Sequence, residues 1–313
     1  MTLQQRILGG LYGSLVGDAL GVPVEFSSRD ARQRDPVTGM RGHGVHNQPA
    51  GTWSDDGSLL LCAAASFAEK ADFDPQDMGV RFLQWFDLGY WGAHGRVFDI
   101  GNATRKALDR ISLGTPALQA GGTDSYDNGN GSLMRILPVV LASLRVADDL
   151  FVMRLEEASA ITHGHARSKM ACVFFGFMVR ALVKGTAPQE ALLHAQAQFA
   201  ATYRHSDEFS HFAQVMKADL GAEPGSQIGS GGYVIDTLTA SLWCLLTTSN
   251  FSDCVLKAVN LGSDTDTTGC VAGGLAGVVY GLNAIPAEWQ LALPRQNDLR
   301  ELFQRFTGTL SLA

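Results

Sequence analysis

The chain has 313 residues, a formal net charge of −7, 46% hydrophobic and 18% charged residues. This length suits one large domain or two modest ones, and a charged fraction below the usual ~25% predicts a packed chain rather than a disordered one. The negative charge and the lack of a Lys/Arg-rich run argue against general nucleic-acid binding. The five cysteines are far apart and fit neither a disulfide framework nor a CxxC metal site, which indicates a reducing, cytoplasmic compartment.

Helical patterning dominates the chain. Apolar residues recur at three- and four-residue spacing, as at Phe151, Leu155 and Ala158, and this period is typical of amphipathic helices. Convincing period-two strands and hairpin turns are lacking. The fold predicted is therefore all-α, with residues 1–313 forming a single compact domain. The predicted helices, in chain order, are 3–21, 57–70, 76–90, 101–111, 132–147, 150–162, 167–184, 188–201, 232–248, 252–261, 267–281 and 297–306.

No membrane association is expected. The mildly apolar N-terminus is interrupted by glycines and Asp18, which argues against a signal peptide. Lys169 and Arg180 bound the most apolar window, which is too short to span a bilayer. The longest predicted loops, 22–56, 112–131 and 220–231, are rich in glycine, and long loops on a helical body are where functional sites tend to lie.

Two predicted helices begin with paired aspartates. Ser54, Asp55 and Asp56 precede helix 57–70, and the segment NLGSDTDTTG, with Asp264 and Asp266, precedes helix 267–281. One interpretation is helix capping, because Asp, Ser and Thr suit the first turn of a helix. A cap needs only one such residue, however, and the second segment offers five between residues 263 and 267.

The second of these helices also carries a glycine every four residues, at Gly269, Gly273, Gly277 and Gly281. Each interior glycine costs a helix about 1 kcal/mol relative to alanine. A close approach of another helix is expected to offset this cost.

Glu25, between Val24 and Phe26, is a further acidic residue, for which an ordinary exposed loop position is the alternative. If its segment and the two aspartate segments converge, carboxylates gather without a nearby basic partner in the sequence. Such groups cannot all stay ionised unless cations join them or some take up protons. Carboxylate and hydroxyl ligands without Cys or His suit Mg²⁺ or Mn²⁺ and argue against zinc. The number of carboxylates indicates two ions rather than one. The predicted cluster comprises Glu25, Asp55, Asp56, Asp264 and Asp266.

A set of motifs occurs in a characteristic order: GSLVGDALGVPVEF, SDDGSLLL, DIGNATRKAL, GNGSLMRILP, ITHGHARS, GGYVIDTL and NLGSDTDTTG. Together they resemble the ADP-ribosylglycohydrolase family, which includes the dinitrogenase reductase-activating glycohydrolases and the ADP-ribosylarginine and ADP-ribosylserine hydrolases. The resemblance extends over residues 6–290. It implies an all-α fold, with a dinuclear Mg²⁺ or Mn²⁺ site at the base of a cleft.

The resemblance also implies the site residues. The family usually has threonine where this chain has Ser54, which keeps the hydroxyl ligand. Asp55 or Asp56 would be the general base, and Asp99 would act on the leaving-group side. The implied metal ligands are Glu25, Ser54, Asp55, Asp56, Asp264, Asp266 and Thr267.

Substrate-binding residues are implied in the same way: Asn102, Asn130, Gly131, Ser132, His163 and Tyr233. Asn102 could also cap a helix, and Tyr233, which matches an adenine-stacking aromatic, could be a core tyrosine. Gly131 and Ser132 at a predicted helix start resemble a diphosphate cradle. Arg135 is open to two interpretations, a phosphate clamp or a helix-surface arginine. The role of His165 is open because Ala166 stands where the family often has proline.

The activity implied is hydrolysis of an ADP-ribosyl linkage. Two metal ions would hold the hydroxyls of the distal ribose, polarise the sugar and orient a water for attack at the anomeric carbon. The DIGN segment resembles the DVGN pattern of arginine-type members, which favours ADP-ribosylarginine in a modified protein. The open alternatives are an O-linked ADP-ribose on serine, O-acetyl-ADP-ribose, an ADP-ribosylated small molecule or nucleic-acid base, a catalytically silent binding relative and a Mg²⁺-dependent phosphohydrolase.

Two further expectations concern the cleft and assembly. The loop 27–53, which could cover the cleft, and Asp99 are the segments expected to decide the linkage. A monomer is expected because the sequence shows no heptad seam or exposed apolar stripe.

Overall fold

The computed structural model of the protein describes residues 1–310, and within them the chain forms fourteen α-helices and no β-strand. The all-α prediction is therefore confirmed. Short 3₁₀ turns connect several of the helices. The helices are α1 Leu3–Gly21, α2 Arg29–Arg34, α3 Asp55–Lys70, α4 Pro75–Leu88, α5 Asn102–Ser112, α6 Leu137–Ala142, α7 Asp148–Ala160, α8 Ala166–Val183, α9 Pro188–Tyr203, α10 Val234–Leu246, α11 Phe251–Val259, α12 Thr265–Tyr280, α13 Ala287–Ala292 and α14 Gln296–Thr309.

One predicted helix, 132–147, is wrong. The segment forms a 3₁₀ turn at Leu133–Arg135 and then the short helix α6, which has Pro138 in its first turn. Proline lacks the backbone N–H that a continuous helix needs but is tolerated in the first turn, so a new helix begins at Leu137 with Pro138 as its second residue. The short helices α2 and α13 escaped prediction, because six residues are too few to show a period.

Helices α1 and α12 lie against each other through glycines on both sides. A Cβ atom built on Gly13 would lie 2.3 Å from the carbonyl oxygen of Gly273, and one built on Gly17 would lie 2.0 Å from that of Gly269. No side chain fits at such distances, so the predicted role of the α12 glycines is confirmed at these positions. Gly281 differs, because it ends the helix with a φ of 80°.

The glycine contacts place α1 in the centre of the hydrophobic core. By length and composition the segment Leu3–Val24 could cross a membrane, but 89% of its most apolar window is buried inside the protein. This burial is the pattern of a core helix. The end of α1 also approaches the start of α12, since a Cβ on Gly21 would lie 2.4 Å from the Cα of Asp266. The loop after α1 therefore begins beside the first turn of α12.

Replacing Gly13 by alanine should destabilise the protein, although alanine is the better helix former. The new methyl group would meet the backbone of Gly273, and overpacking of this kind typically costs about 1–3 kcal/mol. The free energy of unfolding from denaturant titration measures the effect. Gly308→Ala in α14 is the matched control, because nothing lies within 4 Å of its added Cβ, and it should be neutral or stabilising by up to about 1 kcal/mol. Equal effects of the two changes would contradict the role given to the α1–α12 contact.

Candidate active site

A cleft of about 440 Å³ opens where the loops after α1, before α5 and before α12 meet. All five carboxylates of the predicted cluster lie in its lining, and Asp99 joins them. The convergence that the sequence could not show is therefore present. The acidic residues of the lining are Glu25, Asp55, Asp56, Asp99, Asp264 and Asp266.

Asp55 and Asp56 occupy the first turn of α3, and Ser54 is its N-cap. The Ser54 hydroxyl accepts the N–H of Asp56 at 3.3 Å and also donates to Asp56 Oδ2 at 3.3 Å. Ser54 therefore caps the helix and orients a cluster carboxylate at once. Ser54 is only 2% exposed.

A further buried carboxylate, Asp18 of α1, holds the first turn of α3 through hydrogen bonds. Its oxygens accept the N–H of Ser54 at 3.0 Å and that of Gly57 at 2.8 Å. These are free N–H groups at the start of α3, so Asp18 serves as a second cap contributed by another helix. In the sequence Asp18 stands out only as a break in an apolar segment, because nothing local links it to α3.

The Glu25 loop and the start of α12 are joined by backbone hydrogen bonds. Phe26 donates its N–H to the Ser263 carbonyl at 2.7 Å, and Ser263 donates to the Ser27 carbonyl at 2.7 Å. Ser263 and Phe26 both have positive φ, of 64° and 62°. This pairing brings one side-chain oxygen each of Glu25, Asp264 and Asp266 within 4.8 Å of one another.

The cluster is electrostatically unfavourable by itself. Burial, and then the neighbouring carboxylates, raise the pKa of Asp55, Asp56 and Asp266 well above the usual value. Burial also raises the pKa of Glu25 to about 6 and that of Asp18 to about 7. Asp56 Oδ1 is buried and has no hydrogen-bond partner within residues 1–310. Buried oxygen atoms of this kind, together with the Thr267 hydroxyl, fit a hard divalent cation.

His46 lies beside the acidic cluster, a position that no sequence pattern predicted. Its Nε2 hydrogen-bonds to Glu25 Oε2, and one ligand atom each of Glu25, His46 and Asp99 lie within 4.8 Å of one another. The oxygen-only ligand set predicted from the sequence therefore did not anticipate an imidazole beside Glu25. The loop 27–53 contains three residues with positive φ, His43, Gly44 and Asn47, and no spacing rule identifies which histidine such a loop brings to Glu25.

Four of the predicted substrate-binding residues, Asn102, Asn130, Gly131 and His163, line the cleft. Asn130 donates through Nδ2 to Asp264 Oδ2 at 2.7 Å, so it links this wall to the acidic cluster. Asn102 is the first residue of α5, and Gly101 takes the N-cap position. The capping interpretation of Asn102 is thus wrong, and its exposed side chain is free to meet a ligand.

Ser132 and Tyr233 are placed differently. Ser132 is fully buried, and its hydroxyl accepts a hydrogen bond from Ser159 at 2.8 Å, so its side chain faces the core and not the cleft. Tyr233 precedes α10, and the Arg167 guanidinium lies 6.0 Å from the centre of its ring. The exposed aromatic rings in the cleft lining are instead Phe26 and Tyr126, and the sequence marked Tyr126 only through its position in the Gly-rich loop 112–131.

His165 and Arg135, whose roles the sequence left open, both have defined positions in the structure. His165 is the N-cap of α8 and accepts the Arg167 N–H at 3.2 Å, which is a structural role. Arg135 is neither a phosphate clamp nor a surface residue, because it is 0% exposed and its guanidinium lies 4.5 Å from the centre of the Phe82 ring.

Comparison with known proteins identifies the family of the chain. The sequence profile of the family described as ADP-ribosylglycohydrolase matches residues 1–312. The chain belongs to the ADP-ribosylglycohydrolase family. A solved structure titled ADP-ribosylglycohydrolase-related protein complex superimposes with a TM-score of 0.81 at 33% identity, covering 98% of each chain.

Curated relatives of this ADP-ribosylglycohydrolase include two named enzymes. It is 33% identical to ADP-ribosyl-[dinitrogen reductase] glycohydrolase of Rhodospirillum rubrum, covering 100% of this chain and 98% of the relative. It is 31% identical to ADP-ribosylarginine hydrolase Tri1 of Pseudomonas putida (strain GB-1), covering 96% of this chain and 77% of the relative. The protein is therefore an enzyme of the ADP-ribosyl glycohydrolase class.

The acidic cluster predicts a distinct pH dependence of stability. A carboxyl group whose pKa is raised by folding stabilises the fold below its unfolded pKa, about 4, and this stability is lost as the pH rises through the folded pKa. For Glu25 and Asp18 the folded values are about 6 and about 7. Without divalent cations, these groups should therefore lower the melting temperature as the pH rises from about 4 to about 7.

A divalent cation held in this cluster would bind the ionised carboxylates, so the increase in melting temperature caused by Mg²⁺ or Mn²⁺ should grow across the same pH range. Thermal denaturation with the cation or with a chelator, at matched ionic strength, measures this difference. A cation-induced shift that is independent of pH would contradict the assignment.

Proposed function

We propose that the protein hydrolyses the N-glycosidic bond between ADP-ribose and an arginine side chain of a modified protein, with two bound Mg²⁺ or Mn²⁺ ions. The single observation that carries the proposal is the buried carboxylate cluster at the base of the cleft, with the partnerless Oδ1 of Asp56. The arginine linkage is supported by the 31% identity to two proteins named ADP-ribosylarginine hydrolase Tri1, from Pseudomonas putida and Serratia proteamaculans.

The cations would be held by oxygen atoms from three segments. Glu25 comes from the loop after α1, and Asp264, Asp266 and Thr267 come from the start of α12. The first turn of α3 supplies the rest of the proposed set, namely Ser54, Asp55 and Asp56. When bound, such ions supply Lewis-acid polarisation of hydroxyl groups and water. Their positive charge would also keep these carboxylates ionised despite their burial.

Asp55 and Asp56 are the proposed general bases. Asp55 Oδ2 accepts the N–H of Gly101 at 3.4 Å, which ties the base to the residue before Asn102. Asp56 is held between the hydroxyls of Ser54 and Thr267, at 3.3 and 3.4 Å from its Oδ2. Both carboxylates therefore have fixed orientations, and a base must be positioned before its pKa matters.

Asp99 is proposed to act on the leaving group. It lines the cleft, and burial raises its pKa. A guanidinium group brings a positive charge that favours the ionised form of an adjacent carboxylate. An acidic residue at this position thus suits a cationic arginine leaving group better than a neutral serine.

We also propose which residues bind ADP-ribose, where the enzyme is located and its oligomeric state. Asn102, Asn130, Gly131 and His163 would contact the ADP-ribose, with Tyr126 as an additional aromatic surface. We propose a cytoplasmic location, since the five cysteines are all buried and unpaired, as suits a reducing compartment. We also propose a monomer, because the sequence shows no heptad seam or exposed apolar stripe.

The linkage is tested with two peptides, one ADP-ribosylated on arginine and the other on serine. Release of free ADP-ribose is measured with Mg²⁺, with Mn²⁺ and with a chelator. We expect cation-dependent release from the arginine peptide and little from the serine peptide. Release from serine alone would keep the metal site and overturn the arginine linkage. Release that persists in chelator would overturn the metal dependence.

Asp264→Asn tests the metal site directly. The amide cannot supply the anionic oxygen, so affinity for Mn²⁺ by calorimetry and turnover should each fall by at least about tenfold, while far-UV circular dichroism should stay unchanged. Asp109→Asn is the matched control, because Asp109 is an exposed aspartate on α5, away from the cleft, and should leave both quantities as in the wild type. Full cation-dependent turnover in Asp264→Asn would remove this residue from the site.

A further inference from the structure

Arg135 is a buried cation with a specific set of partners. It is 0% exposed, and its Nη2 donates to the Ala158 carbonyl at 3.0 Å and to the Thr162 hydroxyl at 2.7 Å. Its Nε and Nη1 have no hydrogen-bond partner within residues 1–310. Burial lowers the pKa of Arg135 to about 10, so the group remains charged at neutral pH. A charge kept in this position calls for a reason beyond packing.

Thr162 connects Arg135 to the histidine of the cleft. The Thr162 side chain is 0% exposed, and its Oγ1 lies 2.8 Å from His163 Nδ1. A guanidinium group can only donate, so the Thr162 oxygen accepts from Arg135. The single hydroxyl proton then needs an acceptor in a buried place, and His163 Nδ1 is the hydrogen-bond partner within reach.

The hydrogen bond from Thr162 fixes the protonation state of the His163 ring. A ring that accepts at Nδ1 carries its proton on Nε2 if it is neutral. A second proton would place an imidazolium ion beside a buried guanidinium. Burial, and then the charge of Arg135, lower the pKa of His163 to about 3, in agreement with a neutral ring.

The protonated edge of the ring faces the cleft. His163 lines the cleft beside Gly129 and Gly131. A Cβ atom built on Gly131 would lie 2.7 Å from Cε1 and 3.2 Å from Nε2 of His163, so the absence of a side chain there leaves room for this edge of the ring. Within residues 1–310 no protein group hydrogen-bonds to Nε2, whereas Nδ1 is held by Thr162.

We infer that Arg135 and Thr162 are positioning residues that hold His163 as a neutral imidazole with an obligatory Nε2–H donor facing the cleft. The ligand atom it meets is an acceptor oxygen, of a ribose hydroxyl or a phosphate. His163 therefore cannot take a proton at this edge, which leaves the role of general base to the carboxylates. The identity of that ligand rests on the proposed function, but the tautomer does not.

The tautomer is measured in the ligand-free protein by long-range ¹H–¹⁵N correlation with ¹⁵N-labelled histidine. The chain has eight histidines, so the spectrum of His163→Gln identifies the signals of His163. We expect a protonated Nε2 and an unprotonated Nδ1 at neutral pH. A cationic ring or a protonated Nδ1 in the wild type would overturn the inference.

Thr162→Val tests the connection to Arg135, because valine keeps the shape and removes the hydroxyl. We expect a protonated Nδ1 to become populated and the affinity for ADP-ribose, measured by calorimetry, to fall about tenfold, as for loss of one well-placed hydrogen bond. Thr162→Ser, which restores the hydroxyl, should recover both the tautomer and the affinity. An unchanged tautomer in Thr162→Val would remove the positioning role.

These outcomes are separable from those of the proposed function. A wild-type enzyme that shows the expected tautomer but releases no ADP-ribose from the arginine peptide contradicts the linkage and leaves this inference intact. The opposite result, turnover with a protonated Nδ1, contradicts the inference alone.

Discussion

The backbone contact between α1 and α12 is the constraint on which the rest of the structure depends. Glycines at matching positions let the two helices approach until a Cβ atom on Gly17 would lie 2.0 Å from the Gly269 carbonyl. This approach carries the end of α1 to the start of α12, where Gly21 packs on the backbone of Asp266. The loop that follows α1 then places Glu25 beside Asp264 and Asp266. The glycines therefore stabilise the fold and set the spacing of the acidic cluster at the same time.

The cluster itself works against stability. Burial and the neighbouring carboxylates raise the pKa of three aspartates, Asp55, Asp56 and Asp266, well above the usual value. Folding therefore favours the protonated form of these groups. They stay ionised only if positive charge joins them. Functional sites commonly hold groups with perturbed pKa values, at a cost in stability that the rest of the fold must offset. Here the glycine-packed core and the capping of α3 by Asp18 hold the carboxylates in place.

Two histidines, one bonded to Glu25 and one in the cleft lining, show how the surroundings of a side chain decide its chemistry. The hydrogen bond to Glu25 raises the pKa of His46, so this ring is suited to carry a positive charge. Burial and the charge of Arg135 lower the pKa of His163 to about 3. The same type of side chain is thus suited to carry a positive charge beside Glu25 and to act as a neutral donor at His163.

Some of these features follow from the sequence. Helix periodicity predicted most helices and the all-α class, and it failed at 132–147, where a new helix begins at Leu137 with Pro138 in its first turn. The SDD and SDTD segments identified the carboxylates, since acidic residues at helix starts are a local pattern. The glycine stripe of α12 predicted a close helix contact, because its four-residue spacing is also a local pattern.

By itself, then, the sequence determined the helices, the family resemblance and the acidic residues. Only the tertiary structure decided which groups meet. His46, Asp18 and Tyr126 enter the site through loops and helix contacts that no local pattern records, and Ser132 turns toward the core although its motif predicted a ligand contact. Arg135 looked like a surface or phosphate-binding residue and is a buried cation behind His163. Periodicity and motifs report neighbours along the chain, whereas charge, burial and hydrogen bonding depend on neighbours in space.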